Sequence, residues 1–364
     1  MSLLYDDAQL AIAAESRRVL EARIAAEGLL PLLERQDRFH EPFWETAKQQ
    51  GWTALALPEA WDGLNLSLVE LGLIAFQAGR TISGAPFLTS SYGAAQALLN
   101  YAADDLKNEW LPKFASGDAI GAVAFAEQQD VIPTRSSVTF ANGKLDGSKP
   151  SVSGGARADI AIVLASEAGK PVLVAAPLEG VVCHVLQTFD NSRCTADLHF
   201  ARSPAVVLVR GGGALDAALH ILAHQAVVTA HEQAGGAEAL MERARDYALE
   251  RKAFGQPIGA FQSVKHRIAE LYGLVELARA GALHAASREG KDDFLKAAAA
   301  ARIQACEAYD TAARDCVQVH GGIGVTWEAG LHLHMRRART LAVEQGNALF
   351  WEDVLVDQLA GAAA

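Results

Sequence analysis

His220, His224 and His231 lie close together in the sequence, and a pair of imidazoles spaced i, i+4 on a helix, as His220 and His224 are, could clamp a transition metal. No His-Glu-x-x-His pattern accompanies them and no third ligand stands at a useful spacing, so packed or interfacial histidines are expected and no metal site. His332 and His334, two residues apart, would face different sides of a helix, which weakens a joint role. Cys183, Cys194, Cys306 and Cys316 form no C-x-x-C pair and read as reduced thiols rather than a disulfide frame or a zinc site. The tryptophans, Trp110, Trp327 and Trp351 among them, read as core or interface anchors.

The elements that must position any site fall into three textures. Apolar residues recur at helical spacing from Asp6 to about Gln36 and again over Glu41–Gln50 and Leu66–Arg80, so the first third reads as helical. Ile120–Ala126, Val138–Phe140, Asp159–Leu164, Val172–Ala175, Val181–Val185 and Ala205–Val209 are short runs, several of them β-branched, separated by turn dipeptides such as Asn142-Gly143 and Asp146-Gly147. That stretch reads as an antiparallel β domain. Gly211-Gly212-Gly213 is a flexible break, and alanine-rich helical patterns follow over Ala214–Glu250, Gln262–Ser287, Lys291–His320 and Trp327–Ala342, as in a helical bundle. The expected fold is mainly α with a central β domain, divided into an N-terminal helical domain (1–118), a middle antiparallel β domain (119–209) and a C-terminal four-helix bundle (210–364). Ala362–Ala364 is expected to be a disordered tail, and Met1-Ser2-Leu3 reads as a cloning remnant.

Composition narrows the function classes. The 364 residues, 51% hydrophobic, are ample for a large core of two or three packed units at ~150 residues per domain. With 43 acidic against 32 basic residues the formal charge is −11, a sign that repels a phosphate backbone, so nucleic acid is not an expected partner. No window reaches the ~18 uncharged apolar residues of a membrane helix, and no basic segment followed by an apolar stretch and a small-residue cleavage site opens the chain. The expected location is the cytoplasm.

Two stretches carry the chemistry: Glu250-Arg251-Lys252-Ala253-Phe254-Gly255-Gln256-Pro257-Ile258-Gly259-Ala260-Phe261-Gln262, followed by Lys265-His266 and Ala269-Glu270, and Gln318-Val319-His320-Gly321-Gly322-Ile323-Gly324-Val325. Together they closely resemble the C-terminal signatures of the acyl-CoA dehydrogenases. The order of domains agrees, as do Gly51-Trp52, Leu57-Pro58-Glu59 and Gly63 early on and Gly147-Ser148-Lys149 and Ala158-Asp159 in the middle, so the resemblance covers nearly the whole chain. It implies FAD lying between the β domain and the bundle, with its adenine and diphosphate held by a neighbouring subunit. Carried over by position, Arg251 would meet the diphosphate with paired guanidinium donors, and Phe254, Ile258 and Phe261 would line the adenine end with Gln262 beside it. Gln318, Gly321 and Gly322 would come from the same neighbouring chain, the glycines allowing backbone to approach phosphate. Without the resemblance, Gly321-Gly322 reads as a helix end and Arg251 as a solvated cation.

The middle domain departs from the family pattern. Where Thr-Glu-Pro, a glycine-rich turn and Gly-Ser-Asp are usual, this chain has Ala126-Glu127-Gln128-Gln129 and then Val131-Ile132-Pro133, so hydroxyl and backbone donors expected at flavin and CoA are missing. The usual Trp-Ile-Thr becomes Ser151-Val152-Ser153, which loses an indole but keeps a hydroxyl at Ser153 able to bond the N5/O4 edge of the flavin.

The chemistry the resemblance implies is α,β-dehydrogenation of an acyl thioester, in which a carboxylate takes a proton from Cα while the flavin takes a hydride from Cβ. Because the α-proton is weakly acidic, such enzymes polarise the carbonyl with a backbone N–H and a ribityl hydroxyl and raise the basicity of the carboxylate by desolvation. Counting without gaps from Gln318, the usual position of the catalytic Glu falls on Gln345, and the alternative position on the first helix of the bundle falls on Gln225. Neither amide can act as a base. A one-residue slip would bring in Glu344, and Glu232 stands about two turns beyond Gln225. The backbone N–H of Gln345 remains able to polarise a thioester carbonyl.

Three readings follow from the resemblance. The chain is the base-lacking subunit of a heterotetramer with a paralogous partner, as in bacterial enzymes acting on steroid side chains, or a self-sufficient homo-oligomeric dehydrogenase using Glu344 or a carboxylate the motifs do not single out. In the third it is a structural homologue that has lost flavin and stabilises a paralogue. The substrate implied is an acyl-CoA of fatty-acid or steroid side-chain type, and the acceptor an electron-transfer flavoprotein.

Overall fold

The computed structural model describes residues 5–24, 26–33, 35, 39–83 and 87–361, so the expected tail Ala362–Ala364 and the Met1-Ser2-Leu3 opening lie outside the described residues. Helix α1 (Asp7–Arg23) starts from a capping box in which the Asp6 side chain accepts the Gln9 N–H and the Gln9 side chain accepts the Asp6 N–H. The helical period continues to about Gln36, yet α1 stops at Arg23 and Ala26–Leu33 winds as a 3-10 helix around Pro31, which lacks an N–H and excludes a continuous α-helical ladder. Helices α2 (Glu41–Gln49), α3 (Leu68–Arg80), α4 (Phe87–Tyr101) and α5 (Asp104–Ser116) follow. Gly117, at φ 73°, ends α5 by turning its N–H back to the Lys113 and Phe114 carbonyls.

The sheet comprises β1 (Gly121–Ala124), β2 (Thr139–Ala141), β3 (Lys144–Val152), β4 (Ile160–Glu167), β5 (Lys170–Pro177), β6 (Val182–Val185), β7 (Ala196–Pro204) and β8 (Val206–Arg210). Its order is β6-β7-β3-β2-β4-β5-β8, with β1 also on β4. Pairing is mostly antiparallel as expected, but β1 and β2 each join β4 in parallel, which makes the sheet mixed. Asn142-Gly143 forms the predicted two-residue hairpin turn between β2 and β3, with φ of 51° and 75°. Asp146-Gly147 does not turn the chain: it sits inside β3, where the register against β7 slips between Leu145 and Asp146 and Gly147 takes φ 126°, a bulge rather than a turn.

After α6 (Gly213–Glu250), the strands β9 (Lys252–Ala253) and β10 (Gln256–Pro257) form a short hairpin leading to α7 (Gln262–Ser287). The helices α8 (Phe294–His320), α9 (Leu331–Leu341) and α10 (Ala348–Gly361) complete the described chain. The helical pattern read from Trp327 becomes a helix only at Leu331, after Gly330 caps it at φ 64°. None of these helices is long and apolar enough to cross a membrane.

The chain divides into two compact units, Met1–Leu29 with Leu68–Ser83 and Ala226–Ala364, and Leu30–Ser67 with Gly84–Gln225. In the first, α3 and α6 cross with their backbones nearly touching: a Cβ on Gly79 would lie 1.9 Å from the Glu232 carbonyl oxygen, and one on Gly235 1.9 Å from that of Phe76. Only glycine permits that approach, and it fixes Thr229, Glu232 and Gln233 of α6 in place. Helix α8 buries Ala298, Ala301, Ala305, Ala308 and Ala312 along one face, and the small side chains let a long buried Arg302 thread between helices. In the second unit Val138, Phe140, Leu145, Val163, Val174, Leu198 and Phe200 form the core of the sheet, the inward half of a period-two alternation.

Candidate functional site

The segment between α9 and α10 carries the residues on which the chemistry turns. Glu344 N–H still donates to Thr340 O in helical fashion, and then Gln345 swings to φ 54°, a left-handed conformation that costs a non-glycine residue energy, followed by Gly346 at φ 96°. A Cβ on Gly346 would lie 2.5 Å from the Phe350 ring, so glycine is required there. Buried donors hold the strained turn. Arg302, wholly buried, donates to Leu341 O, to Glu344 O at 2.9 Å and to the Gln233 side-chain carbonyl. Trp351 Nε1 donates to Gln345 O at 3.0 Å, and Thr229 Oγ1 donates to Gln345 Oε1 at 3.1 Å. Burial pushes the Arg302 guanidinium down from its ordinary value, opposed by Cys306, Glu344 and Glu232.

Glu232 and the Gln225 NH2 are held by buried partners, and Glu344 lies beside a buried cation. Glu232 is buried and ion-paired with Arg337 at 2.7 Å, and Arg337 also donates to Ser83 O and Ile82 O at 3.1 and 3.0 Å. The Gln225 amide, in the other unit, donates to Thr89 O at 3.2 Å, and a Cβ on Gly93 would strike it. Glu344 is half-buried, and its carboxylate is one of the anionic neighbours of Arg302.

The two long motifs meet at one end of the bundle. Arg251 N–H donates to Tyr247 O at 2.9 Å, and the Tyr247 ring stacks on His320 with centroids 4.1 Å apart, joining the Arg251 stretch to the Gln318–Gly322 stretch. Arg251 and Gln262 are exposed, Ile258 and Phe261 half-buried, and Ile258 N–H closes the hairpin on Arg251 O at 2.7 Å. Phe254 is 96% exposed and touches Phe261 edge-on, an apolar ring that the unit itself leaves uncovered. Gln318, Gly321 and Gly322 are exposed, and a Cβ on either glycine would meet nothing within 4 Å.

Ser153 is half-buried at the end of β3, in the sheet unit. The shortened segment at Glu127 is tightly held: Glu127 and Asp130 exchange backbone hydrogen bonds at 2.9 Å around Gln128 at φ 52°. Burial raises the Glu127 carboxyl, but hydrogen bonds from Lys149, Ser136 and Ser137 outweigh that and hold it at about 2. Burial lowers Lys149 to about 8 against the pull of Glu127. Sequence reasoning quoted Lys149 in a motif and gave it no role. It also missed a chain on the outer face of the sheet, in which Ser148 Oγ lies 2.7 Å from His199 Nδ1 and His199 Nε2 lies 3.1 Å from His184 Nδ1. A cavity of about 240 Å³ adjoins it, lined by Glu127, Gln128, Ser137, Ser148, Pro150, Asp197 and His199. Alternation along β3 and β7 puts Ser148 and His199 on one face, but only the pairing register could have revealed their contact.

His224 Nδ1 bonds the His220 carbonyl at 2.8 Å, and His231 and His334 are buried. Among the described residues no group of three or more His, Cys, Asp or Glu side chains could hold a metal. All four cysteines are free thiols, with Cys194 and Cys316 pushed up to about 12 by burial. Trp110 and Trp351 are core residues, whereas Trp327 is exposed.

Sequence profiles for the acyl-CoA dehydrogenase N-terminal and C-terminal domains match residues 6–118 and 212–357. The acyl-CoA dehydrogenase IpdE2 of Mycobacterium tuberculosis is 32% identical over 305 residues, covering 82% of this chain and 81% of that protein. Among solved structures, the Tcur3481-Tcur3483 steroid ACAD superposes with a TM-score of 0.87 at 25% identity, covering 98% of this chain and 99% of that one. A glutaryl-CoA dehydrogenase from Mycobacterium smegmatis in complex with FADH2 has the same fold, with a TM-score of 0.88 at 20% identity over 99% of this chain and 96% of that one. The chain therefore belongs to the acyl-CoA dehydrogenases, a family of FAD-dependent oxidoreductases acting on acyl-CoA-like substrates.

Proposed function

We propose that this chain is the base-lacking subunit of a hetero-oligomeric acyl-CoA dehydrogenase, in which a homologous partner supplies the carboxylate that takes the Cα proton. The observation that carries the reading is the Thr229–Gln345 bond: the side chain where the family places its base is an amide, held by its carbonyl end at 3.1 Å. The ion pair that occupies Glu232 and the packing of Gln225 support it, since neither replaces the missing base. The division into 1–118, 119–209 and 210–364, a cytoplasmic location and an electron-transfer flavoprotein as acceptor belong to this reading.

The residues fit a flavin shared between chains. Open space around Gly321 and Gly322, an exposed Arg251 and the uncovered Phe254 ring suit an adenine and diphosphate better than a closed surface would. Arg251, Gln318, Gly321 and Gly322 would hold the diphosphate, Phe254, Ile258, Phe261 and Gln262 the adenine end, and Ser153 the flavin edge. Bound FAD supplies the acceptor for the hydride leaving Cβ. This chain's own part is binding and orientation: the Gln345 N–H offers the thioester carbonyl a hydrogen bond, and the Arg302 and Trp351 donors keep that N–H in place.

The test is the visible spectrum of the chain purified alone and co-expressed with a base-bearing homologue, followed by anaerobic addition of acyl-CoA. Flavin bleached only in the co-expressed complex is the expected result. Bleaching by the chain alone, abolished by Glu344→Gln, would establish instead a self-sufficient enzyme, and flavin absent under both conditions a structural homologue.

A further inference from the structure

We infer that Ser148 is an activated nucleophile: on the outer face of the sheet, with His199 as its base and His184 behind that base, it takes the acyl group of a small carboxylic ester and releases it to water. The site lies wholly within the sheet unit, uses none of the residues assigned above to flavin or thioester, and needs no cofactor.

Strand pairing brings the three side chains together. Ser148 and His199 are direct partners in the β3–β7 ladder, and on β6 Val182 pairs with His199 and His184 with Asp197. His184 therefore stands one diagonal from His199 on the same face, a separation that aromatic side chains span, and the two rings lie 4.5 Å apart between centroids. Ser148 Oγ is 2.7 Å from His199 Nδ1, and His199 Nε2 is 3.1 Å from His184 Nδ1. The two bonds constrain each other. When Ser148 donates to Nδ1, the ring proton of His199 is on Nε2 and has His184 Nδ1 as its acceptor, so the ring is held in the tautomer that can take the hydroxyl proton. A base oriented by a third group is what makes a serine hydroxyl reactive. Asp197, opposite His184 and two residues from His199, adds a carboxylate where positive charge forms, its Oδ1 fixed by the Ser151 N–H at 2.8 Å.

The nucleophile opens on a cavity. At about 240 Å³ it is smaller than the ~300–1,000 Å³ of pockets for drug-sized ligands, which selects a short acyl group. Ser148 is exposed and His199 half-buried, so an ester reaches both. The wall is fixed: Glu127 is held by Lys149, by Ser136 and by the Ser137 N–H at 2.7 Å, and the Glu127–Asp130 backbone pair sets Gln128 on the rim. Gln128, exposed there at φ 52°, carries amide N–H groups for the oxyanion. In the first step Ser148 Oγ bonds the carbonyl carbon, and its proton passes to His199 Nδ1 and on to the departing alcohol oxygen as that C–O bond breaks. In the second, water bonds the same carbon and its proton passes through His199 to Oγ as the acyl–Oγ bond breaks, leaving the free acid.

The test treats the full chain with p-nitrophenyl acetate, butyrate and octanoate, following p-nitrophenol release and locating the acyl group by peptide mass spectrometry. The expected result is acetyl and butyryl groups on Ser148, with octanoate reacting least. Ser148→Ala should abolish acylation at that position, and His199→Gln should slow p-nitrophenol release by about 10²–10⁴-fold, the usual worth of a general base. His184→Phe, which keeps a ring on β6 and removes the acceptor, should slow it by a smaller factor. Cys183→Ser removes the neighbouring exposed thiol, which esters also acylate, and should leave the Ser148 reaction unchanged. A fluorophosphonate probe, losing fluoride as it bonds Ser148 Oγ, reads the same reactivity in the unmodified chain and serves where a variant does not fold. Acyl groups found on lysines and Cys183 but not on Ser148, or equal rates in wild type and His199→Gln, would overturn the inference. Either result leaves the dehydrogenase reading standing, because that reading rests on the bundle unit.

Discussion

Lowering the pH from 7 to 5 should destabilise the bundle unit through two buried histidines. His231 lies at the α3–α6 crossing, where a Cβ on Gly72 would come within 2.6 Å of its Nε2, and its Nδ1 bonds Val227 O at 2.9 Å. Burial pushes it down from 6.5 to about 4. His334, bonded to Tyr309 OH at 2.9 Å, is pushed to about 3 by burial, with Arg243 and Arg337 adding to the effect. Both folded values are depressed, so between them and 6.5 the unfolded chain binds more protons and stability falls as pH falls. At pH 5 the unfolded chain carries both protons and the folded chain neither, which removes about 2 kcal/mol for each histidine and about 4 kcal/mol for the pair relative to pH 7. His231→Gln cannot titrate, so its stability should fall about 2 kcal/mol less than that of wild type over the same interval. Urea unfolding at pH 7 and pH 5, followed by far-ultraviolet circular dichroism, measures the difference. Equal losses in the variant and the wild type would mean that His231 protonates as readily folded as unfolded, and the burial argument would fail.

Three further outcomes follow from the same packing. Arg302→Met removes the donors to Leu341 O, Glu344 O and Gln233 and should cost about 3–5 kcal/mol in urea unfolding, with Arg302→Lys recovering part of it. Gly235→Ala places a methyl 1.9 Å from Phe76 O and should lower stability by about 1–3 kcal/mol or more, measured as a fall in Tm, since neither helix backbone can yield locally. Lys149→Met leaves Glu127 buried without its cation and should raise its carboxyl from about 2, so that acid unfolding sets in at higher pH than in wild type.

Much of the fold was legible because periodicity reports burial. The helices α7 and α8 are long amphipathic runs, and the Asn142-Gly143 hairpin follows from two residues that tolerate positive φ. Where the reading failed, a local signal was overruled by pairing or by a break. Asp146-Gly147 resembles a turn but serves a bulge dictated by β7, and the first helix ends well before its apolar period does. The site was legible as motifs and not as contacts. Spacing singled out Gln345 and Glu344, but Arg302 looks like a surface cation in an alanine-rich helix until the fold brings the 341–345 carbonyls to it. Likewise the α3–α6 approach depends on Gly79 and Gly235, which the sequence separates by more than a hundred residues.

On the base-lacking reading proposed above, an amide in place of a carboxylate leaves the framework of this turn unchanged. To Thr229, an amide oxygen and a carboxylate oxygen are the same acceptor, and to Arg302 and Trp351 only backbone carbonyls matter. The framework is therefore indifferent to the exchange, and the left-handed residue stays over-determined by the same three donors. What differs is the far end of the side chain, where an acceptor becomes a donor of similar size. A turn held by nothing else would relax out of a strained conformation, because strain at a non-glycine left-handed residue costs about 1–3 kcal/mol. Here the buried Arg302, the Trp351 indole and the Thr229 hydroxyl offset that cost by holding the turn's acceptors.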